Sequence, residues 1–292
     1  MKKKKILSII FVTLILISCS KNNRSNFNNR SFIVLSGTAL DIVPTKAGVN
    51  LADGTRLGVY VLNVTPGSME TFNNALVRNS LYTVNNEGSI LGNIIYLSMG
   101  KDYDVYSYAP KVESVPDHTL IEFSHGTDLI WSQVNQTVRG ATAGQNNVNL
   151  QFLHKTSQIR FTLTDDRDDA SKLQYPFAGA TFEVKGFYDT YSLNLENGAI
   201  ARGVIDNNIK ISTINTPVCF AANDGPMSLS VTVTIPGTAG GNQLYTGTLT
   251  NTFSQGYSYS YNIKLASTTL VMTGTITDWV VVPTDDFIIH PS

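Results

Sequence analysis

Four histidines are the first residues to question for chemistry, and they stand far apart: His118, His125, His154 and His290. A zinc site draws on ligands at short paired spacings such as HExxH, and none of the four has such a neighbour. The chain also lacks a GxSxG elbow, a P-loop and a GxGxxG turn after a strand. Asp165, Asp166, Asp168 and Asp169 could offer oxygens to a calcium ion. Their run has neither the alternate spacing nor the following glycine of an EF-hand loop, so it reads as a solvated linker. No carboxylate pair stands out for glycoside hydrolysis. Tyr257, Tyr259 and Tyr261 alternate along one strand face, which makes either a sugar platform or a core face. No catalytic residue, metal site or cofactor is expected, and the chain does not read as an enzyme.

The two cysteines carry more information. Cys219, in "TPVCFAAND", reads as a small buried apolar residue. Cys19 closes "MKKKKILSIIFVTLILISC": four lysines, an apolar run from Ile6 to Ile17, and then Ser18. That is the layout of a secretory signal, and as a helix the run would span only about 18 Å, too short for a bilayer core. "LISC" resembles the lipobox of bacterial lipoproteins, where the cysteine is acylated and becomes the new N-terminus. Residues 1–18 are therefore expected to be a lipoprotein signal peptide, Cys19 the lipid attachment site, and 19–30 a flexible polar tether. The outer membrane, through Cys19, is an expected partner. "SKNNR" lacks acidic residues after the cysteine, so display on the outer leaflet does not follow from lipidation.

Charge is near balance at −1 and only 15% of residues are charged, which argues against nucleic acid as a partner. Tyrosine and phenylalanine number 13 each and glycine 22, a vocabulary of strands and turns. Short β-branched or alternating runs recur from "SFIVLSGTAL" to "TLVMTGTITDWVVV", punctuated by Gly, Pro, Asn and Asp. No segment keeps a 3.6-residue period over three turns. The charged stretch 165–179 interrupts the pattern. The expected fold is all-β, with two tandem β-sandwich domains over 31–165 and 172–292.

Several blocks together resemble the fimbrillin family, the lipoprotein-derived subunits of type V pili. They are "TRLGVYVLN" (55–63), "LYTVNNEGSI" (81–90), "YDVYSYAP" (103–110), "TDLIWSQV" (127–134), "VNLQFLHKTSQIRFTLT" (148–164), "YSYSYNIKL" (257–265) and "GTITDW" (274–279). The resemblance implies transthyretin-like sandwiches, cell-surface assembly, and other pilus subunits as partners. It also implies a protease cut beyond the first strand, after which a neighbour's strand fills the vacated groove.

The residues fit that scheme. In "SFIVLSGTAL", Phe32, Val34 and Leu40 lie on one side and Ile33, Leu35 and Ala39 on the other. Burying three or four such side chains is worth about 1.5–3 kcal/mol each. The following stretch 41–54 is polar and marked by Pro and Gly, as suits nicking. Lys46 is the first processing candidate and Arg56, abutting a strand, the second. A lysine where the family commonly has a basic residue, often arginine, departs from an Arg-specific cut. The donor candidate is 280–292, with apolar bursts at Val280 and Val282 and at Phe287 and Ile289; its alternative is an ordinary last strand with a frayed tail. The first strand stays put instead in a non-polymerising or anchoring member, and against the shaft, anchor or tip subunit stands a monomeric surface lipoprotein that binds glycans, host proteins or another bacterial surface ligand.

Overall fold

A computed structural model describes residues 30–39, 49–132, 137–222, 225–266 and 270–278. Strands dominate. Helical turns occur only at Phe72–Asn74 and Asp169–Gln174 among the described residues. The period of two explains why. In Pro226–Pro236, Met227, Leu229, Val231, Val233 and Ile235 are buried while the residues between them lie nearer the surface. This strand pairs residue for residue with Asn242–Thr252 across a glycine-rich turn.

The chain packs around three apolar clusters. The first lies inside a 10-stranded sheet. Its main path runs Val49–Asn50, Ser31–Ala39, Gly144–His154, Ile130–Ser132, Tyr103–Ala109, Arg56–Asn63, Val77–Val84 and Ile90–Leu91. Ile95–Leu97, only a few residues past the far end of that path, pairs back onto Ser31–Ala39. The sheet therefore curls round on itself and encloses Leu57, Val59, Val61, Val105, Leu150 and Phe152.

Two four-stranded sheets form a sandwich in the second half. One is ordered Val218–Phe220, Ser157–Asp165, Tyr257–Leu265, Leu270–Asp278; the other Lys210–Ile211, Thr181–Lys185, Pro226–Pro236, Asn242–Thr252. Phe161, Phe182, Val231, Tyr259, Tyr261 and Ile263 fill the space between them.

A small sheet stitches the halves together. Leu120–Ser124 pairs with Thr190–Asn194, which pairs with Ile200–Arg202. Its inner side meets Tyr60, Tyr106, Tyr108 and Trp131 on the outer face of the first sheet. That second cover is why Arg56–Asn63 is buried almost throughout, on both faces.

The all-β expectation holds, while the grouping of strands differs in two places, one of them the sheet that Leu120–Ser124 shares with Thr190–Asn194. Ser157–Asp165, assigned on sequence to the first sandwich, pairs in parallel with Tyr257–Leu265 of the second. Alternation marks a wet and a dry face but says nothing of which neighbour completes the ladder. The stretch 165–179 thus follows a strand already built into the second sandwich. Within it, the Asp168 carboxylate accepts from the Ser171 N–H at 2.7 Å and caps the short helix.

Candidate functional site

The site is the first strand and the slot that holds it. Ser31–Ala39 is β-branched and apolar, so it favours extended backbone. Its neighbours occupy both edges. On one side it runs parallel to Gly144–His154, in register from Ser31 opposite Gly144 to Ala39 opposite Phe152. On the other it meets three short partners in turn. Phe32 lies opposite Tyr96, Ser36 bridges to Ser89, and Thr38 lies opposite Asn50.

Side chains reinforce the seat. The Asn146 amide donates to Ser31 Oγ at 2.9 Å and to the Phe32 carbonyl at 3.2 Å. Ser36 donates to Asn149 Oδ1 at 3.3 Å. Arg30, at the entry, stacks over the Tyr96 ring. Nothing in "GQNNVN" announces this clamp; the amides matter only because the parallel register sets them beside Ser31.

The core-facing side is that of Ile33 and Leu35. Ile33 and Leu35 are 6% and 5% exposed and join the first cluster, whereas Val34 is 39% exposed and Phe32 is half-buried. Both sides of the strand are apolar, so composition could not choose between them; the curl of the sheet does. Gly37 is also buried, with Ile90 and Phe152 where its side chain would be. Two core side chains at about 1.5–3 kcal/mol each hold the strand apolarly, together with ladders on both edges.

Of the other expected site residues, Cys19, Leu40, Lys46, Val280, Val282, Phe287 and Ile289 lie outside the described residues. Arg56 begins a strand opposite Thr83 and pairs with Glu113 at 2.6 Å.

The three described histidines each have a structural neighbour. Tyr60 Oη and His118 Nδ1 are 2.7 Å apart; His154 Nδ1 lies 2.9 Å from Asp128. His125 packs on Phe187. His290 is outside the described residues. Asp165 grips Arg167, and Asp166 meets Lys264 at 2.5 Å. No cluster of three or more His, Cys, Asp or Glu side chains suited to a metal ion occurs among the described residues. Burial pushes the Cys219 thiol up to about 12, which keeps it protonated and unreactive. Tyr259 and Tyr261 are 2% exposed and pack against Phe253 and Phe161. Tyr257 is half-buried and packs against the same core, so the tyrosine stripe faces inward and the glycan-platform reading loses its motive.

An all-β chain whose second half is a β-sandwich and whose first strand is paired at both edges is the class the fold defines. The chain belongs to the fimbrillin-like family, whose model matches residues 45–279. That family consists of structural, non-enzymatic proteins. Solved structures share the fold. A candidate cell adhesion protein from Bacteroides uniformis is 18% identical, covers 86% of this chain and 100% of its own, and superposes with a TM-score of 0.61. One from Bacteroides ovatus is also 18% identical, with 87% and 99% covered and a TM-score of 0.60. One from Bacteroides eggerthii is 11% identical, with 88% and 98% covered and a TM-score of 0.52. No curated protein sequence matches the chain.

Proposed function

We propose that this chain is a structural or adhesive subunit of a type V pilus, serving as shaft, anchor or tip. It is exported as an outer-membrane lipoprotein anchored through Cys19 and assembles at the cell surface by strand replacement. The observation that carries the reading is the seat of Ser31–Ala39, paired along both edges with Ile33 and Leu35 in the core. Loss of that strand would bare an apolar trough rimmed by unpaired N–H and C=O groups, which an extended segment of another subunit would satisfy. Lys46 is the better processing position, since Arg56 is held in a ladder. Family membership and the candidate cell-adhesion proteins of like fold support the same role.

Limited trypsin treatment of the mature protein tests this. The expected result is one discrete cut near Lys46, followed by a ladder of SDS-resistant oligomers. A protein that resists cutting there and stays monomeric overturns the reading.

A further inference from the structure

The first strand starts at one end of the first sheet, and an exposed apolar face starts with it. Ser31 lies opposite Gly144 on one edge and opposite Leu97 on the other. The turns beyond those partners are tied together at this end. The Gly100 N–H donates to the Ala141 carbonyl, and the Ala141 N–H to the Lys101 carbonyl, both at 2.8 Å.

Ile95 and Leu97 point into the core as Ile33 and Leu35 do, which turns their neighbours outward. On that outer side Phe32 faces Tyr96 across the ladder. Val34 is 39% exposed, Tyr96 43%, Met99 56% and Ile94 59%. Single apolar side chains on a surface are ordinary, but these four sit on two paired strands and the residues flanking one of them. The Arg30 guanidinium lies 5.4 Å from the centre of the Tyr96 ring and puts a cation at the rim. A groove lined by Arg30, Ser31, Tyr96, Leu97, Ser98 and Met99 opens there.

The chain ahead of Arg30 says what this face would meet. Arg30 stands eleven residues after Cys19. A stretch of that length reaches about 40 Å at most, so an acylated Cys19 keeps this end of the sheet close to the bilayer. Residues 20–30 include Lys21, Arg24 and Arg30 and no acidic residue, and Lys101 lies at the same end. Such cations are drawn to anionic headgroups. Tyrosine and arginine suit a bilayer interface, since each joins an apolar body to a polar tip.

We propose that the face formed by Val34, Ile94, Tyr96 and Met99, with Arg30 at its rim, rests on an anionic phospholipid surface when Cys19 is anchored. The inference rests on the reading of Cys19 as the lipid attachment site and adds the surface that meets the bilayer. The contact is shallow: side chains enter the headgroup region while the backbone keeps its ladders. A weak contact suffices, because the anchor turns docking into an intramolecular step at high effective concentration.

The test supplies the anchor chemically, so that the face is read apart from lipidation. The chain from Cys19 onward is coupled through that thiol to a maleimide lipid in vesicles of phosphatidylcholine and phosphatidylglycerol; Cys219 is buried and does not compete. A tryptophan is introduced as Met99→Trp or, for comparison in the second sandwich, as Leu244→Trp, which is also exposed. Quenching by brominated phosphatidylcholine is measured as the excess over the parent chain. The expected excess for Met99→Trp is at least about three-fold that for Leu244→Trp, since only a side chain seated in the headgroup region meets the bromines. Adding Ile94→Ser and Tyr96→Ser, both at exposed positions, should bring it down to the Leu244→Trp level while the circular dichroism stays unchanged. Equal quenching at the two positions overturns the docking face. Quenching that survives the two serines means the basic stretch alone holds this end down, and overturns the apolar contact. The mass of the N-terminal peptide from membrane-extracted protein tests the anchor separately: an unacylated Cys19 overturns the lipidation reading, and with it the setting in which the face acts, whatever the vesicles report.

Discussion

The Trp131 indole N–H donates to the Leu195 carbonyl at 3.0 Å, joining the first sheet to the chain just past Thr190–Asn194. The same ring closes over Gly198, whose φ is +70° and whose Cβ would lie 2.6 Å from the ring carbons. The two halves are thus keyed by a hydrogen bond and a close approach on one side chain.

Trp131→Phe should cost about 1–3 kcal/mol, the penalty of leaving a buried carbonyl unpaired. Gly198→Ala should also destabilise, through contact with the ring and through the left-handed backbone it must adopt. Urea unfolding measures both. An unchanged midpoint for Trp131→Phe means the bond does not join the halves.

The first strand should respond on one side only. Ile33→Ala and Leu35→Ala should each cost about 2–5 kcal/mol, and Val34→Ala within about 0.5 kcal/mol, since Val34 is outside the core. Equal losses at all three positions would contradict the sidedness described here.

Arg167 is enclosed, with its side chain 0% exposed. It donates to both oxygens of Asp165 at 2.7 and 2.8 Å, to Gln243 Oε1 at 3.1 Å and to the Tyr175 carbonyl at 2.8 Å. The hydrogen bonds from Arg167 hold the Asp165 carboxyl below its ordinary range. Arg167→Met should cost about 3 kcal/mol, because it strands a carboxylate with little access to water. Adding Asp165→Asn should restore part of that loss; if the double variant is no more stable than the single, the pairing account is wrong.

Acid should weaken the fold through His125. Burial depresses its pKa below the ordinary 6.5, opposed in part by a hydrogen bond to the Tyr188 backbone. Its Nδ1 is buried without a hydrogen-bond partner, against Phe187. The unfolded chain therefore binds the proton more readily than the folded one. The stabilisation is complete above the unfolded pKa near 6.5 and is lost as pH falls through the lower, folded value. Replacing His125 with Phe should flatten the thermal-midpoint profile between pH 7 and 5; a profile of unchanged slope would exclude His125 as the source.

Strand content was plain in the chemistry of single segments. "MSLSVTVTI" alternates so cleanly that its buried set could be written down in advance, and Tyr259 and Tyr261 followed the same rule into the core. Arg167 was not legible, because a lone arginine among aspartates looks solvated until a fold closes over it. Nor was the inward side of Ser31–Ala39, where both sides are apolar.

The sequence by itself determined that this chain is built from short strands and joined by turns, because period-two patterning and turn chemistry are local properties. Tertiary structure alone decided that Ser157–Asp165 pairs with Tyr257–Leu265, that Ile33 and Leu35 rather than Val34 meet the core, and that Gly37 and Gly274 each lie beneath a ring. Those outcomes depend on which distant strand completes each ladder and which way a sheet curls, and neither is encoded within any single strand.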